Sequence, residues 1–150
     1  MTEASTQITA LNTLTATLLD SVNGYRDAAS HADSGRFQEL FRKFADERAT
    51  VAESLRSEVA RLGGNPEDDG SFLGKTHQRF LDLKAAITGR DDQAIVNEVE
   101  RGEDYLKEKF EAALKTDSLA PETRAVIEAA NASVVRGHDQ MRDLKHGLEA

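Results

Sequence analysis

The chain has 150 residues, the usual size of one domain, and contains no cysteine, so disulfides, thiolate metal sites and cysteine nucleophiles are excluded. Its 27 acidic and 19 basic residues leave a formal charge of −8, which repels a nucleic-acid backbone and an anionic membrane surface alike. No apolar run approaches the ~20 residues of a membrane span, and the start Met1-Thr2-Glu3 carries an acid in place of the basic n-region of a signal peptide, so a cytoplasmic location is expected.

Apolar residues recur from residue 8 to residue 32 at Ile8, Leu11, Leu14, Leu18, Val22, Tyr25 and Ala29. That three-and-four spacing is one face of a long helix. Asp33, Ser34 and Gly35 then supply a stop and a new N-cap within a few residues, and so tight a turn makes the next helix antiparallel to the first. The second long helix, residues 36–62, carries Phe37, Leu40, Phe41, Phe44, Val51, Leu55, Val59 and Leu62 on one face. It stops at Gly63-Gly64-Asn65-Pro66, where glycine suits a left-handed C′ position and proline cannot continue a helix.

Ser71 is placed to cap a shorter helix with Leu73, Phe80, Leu83 and Ile87 on its apolar side, ending at Thr88-Gly89. The third long helix spans residues 91–115 through Ile95, Val99, Leu106, Phe110 and Ala113. Pro121 opens the fourth in its favoured first-turn position, and that helix carries Ile127, Ala130, Val134, Met141, Leu144 and Leu148.

Four helices of about 25 residues are each ~37 Å long, the proportions of a bundle. The short helix reaches ~25 Å, enough with its flanking loops to return the chain along the bundle and set the third long helix parallel to the second. The expected fold is therefore all-α, one domain over residues 1–150, with the crossover connection of ferritin-like bundles. A coiled-coil dimer competes, but the short turns and the Gly-Gly-Asn-Pro break favour a closed bundle.

Polar side chains that interrupt the apolar stripes mark the candidate site. Arg48 falls between Phe44 and Val51, Glu103 between Val99 and Leu106, His138 between Val134 and Met141, and Glu47 at the edge of its stripe. All lie near the middle of their helices, so they are expected at one level of the bundle.

One reading is a buried ion network, Arg48 with Glu103 and Glu47, and His138 beside it. The other is an iron or manganese site held by Glu47, Glu100, Glu103 and His138, since bundles of this topology hold di-metal centres with acids from every helix and two Glu-x-x-His pairs. The template is met poorly: Thr50 stands three after Glu47, Val135 three before His138, and the first helix has no acid in its stripe. A core guanidinium also takes the charge-balancing place of a cation. The network is therefore the preferred reading, with no cofactor expected.

His31, His77 and His146 sit at helix ends or stripe edges, and Glu67-Asp68-Asp69-Gly70 lacks the alternating ligands of a calcium loop. Phosphate loops, serine nucleophile elbows and zinc motifs are absent from the sequence.

Residues 62–71 (Leu-Gly-Gly-Asn-Pro-Glu-Asp-Asp-Gly-Ser), His77, Asp82-Leu83-Lys84, residues 100–104 (Glu-Arg-Gly-Glu-Asp) and His138-Asp139 give the chain a resemblance to an uncharacterised bacterial family of ferritin-like four-helix-bundle proteins, a domain of unknown function. Leu11-Asn12 and Glu47-Arg48 fit the same pattern. The resemblance implies the fold, a bacterial source and a stress-related role, and it implies no reaction. Ser30 stands where members of that family often carry an acid. The function expected is a non-catalytic bundle acting through self-association as a homodimer, without nucleic acid or membrane. The alternative is a metal-binding carboxylate bundle of oxidoreductase-like ancestry.

Overall fold

The computed structural model describes residues 3–67 and 92–149. Among the described residues there are four helices: α1 (Glu3–His31), α2 (Gly35–Arg61), α3 (Asp92–Leu114) and α4 (Pro121–Glu149). No strand occurs among the described residues. The expected crossover helix, with His77, lies outside them, as does the side chain of Leu148.

Helix directions follow from three polar staples at the bundle ends. The Asp92 carboxylate at the start of α3 accepts the Asp33 and Ser34 N–H groups at 2.8 and 3.1 Å, so α3 begins where α1 ends. At the opposite end the Gln7 amide donates to the Ser118 carbonyl at 2.6 Å and accepts the Ala120 N–H at 3.0 Å. Asn12 donates to the Asn65 carbonyl and accepts the Glu67 N–H, at 3.0 and 2.9 Å. Hence α1 and α4 run one way, and α2 and α3 run the other. The end of α2 and the start of α3, which residues 68–91 join, lie at opposite ends of the bundle. In cross-section α1 packs beside α2 and α3, and α4 packs beside both as well.

The caps differ in mechanism from the sequence expectation. Ser34 occupies the N-cap of α2 with extended backbone, but its hydroxyl makes no capping bond; its N–H is held by Asp92 instead. At the other end of α2, Gly63 takes the left-handed conformation at φ 87°, and the Gly63 and Gly64 N–H groups close back on Ala60 and Val59. Gly64 serves a different need, because a Cβ there would lie 2.8 Å from Ile8.

Two apolar clusters form the core of the described residues. One gathers Val22, Tyr25, Phe41, Phe44, Ile95 and Met141; the other gathers Leu11, Leu18, Leu55, Leu106, Phe110 and Ile127. Each fully buried Leu, Ile or Phe contributes roughly 1.5–3 kcal/mol of transfer free energy, so the apolar halves provide the main drive to fold. On every helix the two clusters part at one level: Ser21 on α1, Arg48 on α2, Glu103 on α3 and Gly137-His138 on α4.

Candidate functional site

Glu103 is 0% exposed and Arg48 2%. The Arg48 Nη2 stands 2.8 Å from Glu103 Oε1, and Arg48 Nη1 donates to the Ser21 hydroxyl at 3.2 Å. The second carboxylate oxygen, Oε2, accepts a hydrogen bond from the Tyr25 hydroxyl. Both oxygens of Glu103 therefore have a donor, as a carboxylate withdrawn from water requires. The Arg48 guanidinium also lies 5.8 Å from the centroid of the Tyr25 ring, within cation–π range, and Phe44 packs on that ring at 5.0 Å.

Electrostatics bind the three groups together. Burial pushes the Tyr25 phenol well above its ordinary pKa, and the negative charge of Glu103 pushes it further. Burial by itself would lower the Arg48 pKa, but the adjacent Glu103 charge and hydrogen bond outweigh it and the net direction is upward. Arg48 and Glu103 thus form a retained ion pair, with a neutral phenol donating to it.

Gly137 explains how a guanidinium enters a tightly packed helix crossing. A Cβ at this position would collide with Arg48 Nη2, so α4 leaves out a side chain where α2 inserts a charge. Glycine in a helix interior lowers stability by about 1 kcal/mol relative to alanine; here the missing methyl is the space the ion pair needs.

The other sequence candidates go elsewhere. Glu47 is exposed, on an open groove between α2 and α4 shared with Thr50, Ser133, Arg136, Asp139 and Asp143. His138 is nearly buried, but its ring faces Asp104 and Asp139: Nε2 lies 2.6 Å from Asp104 Oδ1 and Nδ1 3.2 Å from Asp139 Oδ1. Glu100 sits one turn before Asp104, with Lys145 Nζ at 3.4 Å. Arg48 and Glu103 are therefore brought together in the core, while Glu100 and His138 are brought together at its edge. His31 and His146 are exposed.

Sequence reasoning missed several members. Tyr25 counted as apolar, although its hydroxyl completes the Glu103 carboxylate, and Ser21 was not singled out. Asp104 lies off the apolar stripe and gives no sign of a partner, whereas Gly137 carries a usable signal as a mid-helix glycine beside a stripe. A second buried acid, Glu58, also went unremarked. It accepts hydrogen bonds from Arg61 at 2.6 and 2.8 Å and from Thr123 at 2.9 Å, and the Arg61 bond holds its carboxyl below the usual range.

A di-metal centre does not fit the residues at the central level. The Arg48 guanidinium and the Tyr25 hydroxyl already hold the two oxygens of Glu103, and a fixed positive charge opposes a cation there. No catalytic step follows from this layer.

The architecture is that of an all-α four-helix protein, and among the described residues no helix is long and apolar enough to cross a membrane. A family model described as "Domain of unknown function (DUF2383)" matches residues 6–116, and the chain belongs to that family. The match takes in α1, α2 and α3 with Tyr25, Arg48 and Glu103; Gly137 and His138 lie beyond it. No curated protein matches the chain.

Proposed function

We propose that this protein is a ferritin-like bundle without a catalytic centre, acting through self-association as a cytoplasmic homodimer in bacterial stress physiology. The observation that carries the reading is the Arg48–Glu103 pair sealed in the core. A carboxylate whose oxygens are both engaged, beside a guanidinium that is itself paired, offers no open position to a substrate. What the molecule presents to others is then its outer surface. The groove between α2 and α4 carries both signs of charge, lined by Arg136 together with Glu47, Asp139 and Asp143. Such a patch can pair with its own copy about a two-fold axis.

The iron or manganese reading with Glu103 among the ligands is the weaker one, because Arg48 stands in the place a cation would take. Sedimentation equilibrium tests the preferred reading. A dimer that weakens when Arg136 is replaced by Glu supports it; a monomer at every concentration up to the solubility limit overturns it.

A further inference from the structure

We propose that Glu100, Asp104 and His138 form a mononuclear site for a first-row divalent cation at the seam between α3 and α4, separate from the Arg48–Glu103 layer. The three side chains each offer one ligand atom, and these atoms lie within 4.8 Å of one another. Glu100 and Asp104 are four residues apart on α3, which puts both carboxylates on one face. His138 comes from the antiparallel neighbour α4, so the ligands converge from two elements fixed by the core on either side.

The chemistry of the set points to the class of ion. One imidazole nitrogen with two carboxylate oxygens suits zinc, manganese or iron(II), not the all-oxygen shells of calcium and magnesium. Metal–ligand bonds of about 2.0–2.2 Å place tetrahedral ligand atoms ~3.3 Å apart, so binding an ion requires the 2.6 Å contact between Asp104 Oδ1 and His138 Nε2 to open. Three protein ligands leave a further position for water.

The surroundings of His138 favour coordination through Nε2. Asp139 Oδ1 lies 3.2 Å from Nδ1 and can accept a hydrogen bond from Nδ1–H, which leaves the Nε2 lone pair for an ion held with Asp104 and Glu100. That is the carboxylate–histidine arrangement which orients imidazole ligands in metal sites. Two cations already press on the cluster: Lys145 Nζ is 3.4 Å from Glu100, and Arg142 Nη1 is 3.4 Å from Asp139. Lys145 balances the charge that an incoming ion would balance, so metal binding displaces it.

Calorimetric titration of the full chain with ZnCl2, and separately with MnCl2, tests the proposal. One ion per chain is expected; His138→Gln and Asp104→Asn should each weaken affinity roughly 10-fold or more, and Asp139→Asn by about 10–100-fold. His146→Gln should leave affinity unchanged, and Lys145→Met should tighten it. A readout independent of mutant folding is the NMR spectrum of the parent with sub-stoichiometric Mn²⁺, where the His138 ring signals should broaden before those of His31 and His146. Absence of saturable binding at millimolar metal, or affinity unaltered by His138→Gln in a folded variant, overturns the site.

Discussion

Glu103 and Asp104 are neighbours on α3 and carry the same charge, yet they live in different media. Glu103 is fully enclosed, with Arg48 and Tyr25 on its two oxygens. The side chain of Asp104 is 51% exposed and meets His138 at the rim. A 100° turn of helix separates a group that must be matched donor for donor from one that water can serve. In the core, removing a partner leaves an uncompensated charge; at the rim, solvent takes the partner's place. The comparison makes the ion layer a structural commitment and the rim cluster an adjustable one.

The sharpest way to break this contrast is Arg48→Ala, which strands the Glu103 carboxylate and should destabilise by about 3–5 kcal/mol in urea denaturation. Arg48→Met with Glu103→Leu removes both charges while keeping apolar volume, and much of the loss should return. A mild single variant, or no recovery in the double, would show that the pair is not what holds this layer. Metal stoichiometry should be the same in the double variant as in the parent, because the rim ligands are untouched.

Next in size is Tyr25→Phe, which takes one donor from the buried carboxylate and should lower stability by roughly 1.5–3 kcal/mol at neutral pH. The sign of its pH dependence follows from the raised phenol pKa. A folded pKa above the unfolded value of about 10 gives a contribution fully present below pH ~10 and lost as pH rises through the folded pKa. The parent should therefore lose stability above pH ~10 more steeply than Tyr25→Phe, and parallel alkaline unfolding curves would contradict this.

Gly137→Ala should lower stability by about 1–3 kcal/mol, since the methyl overpacks against a guanidinium that Glu103 and Ser21 hold in place. In an Arg48→Met background the same change should become stabilising by up to about 1 kcal/mol, the ordinary helix preference for alanine. The reversal of sign, measured as a double-mutant cycle, isolates the Arg48–Gly137 contact. The smallest effect belongs to the rim: Asp104→Asn should shift stability by only about 0–1 kcal/mol in metal-free buffer. A loss as large as that of Arg48→Ala would erase the distinction between core and rim.

The heptad-like stripes made the long helices legible, and the polar residues inside them marked the level of the ion layer. Arg48 and Glu103 stand out because charge in an apolar stripe has few solutions. Their partners do not, because Tyr25 and Ser21 fit a helical core as ordinary residues, and Tyr25 becomes a donor and Ser21 an acceptor only when α1 is set against α2 and α3. His138 shows the converse: it lies within a stripe, but the packing rotates it to the edge, where Asp104 is waiting on a face that composition alone marks as solvated.

The sequence by itself determined the all-α class, the turns at Asp33-Ser34-Gly35 and Gly63-Gly64, the start of α4 at Pro121 and the depth at which polarity enters the core. These are local matters, set by periodicity, backbone freedom and proline geometry within a few residues. Only the tertiary structure decided that Tyr25 closes the Glu103 carboxylate, that Gly137 clears space for Arg48, and that His138 pairs with Asp104 and not Glu103. Each depends on which faces meet across helices far apart in sequence, where a rotation of one residue, 100°, exchanges a buried partner for a solvent-facing one.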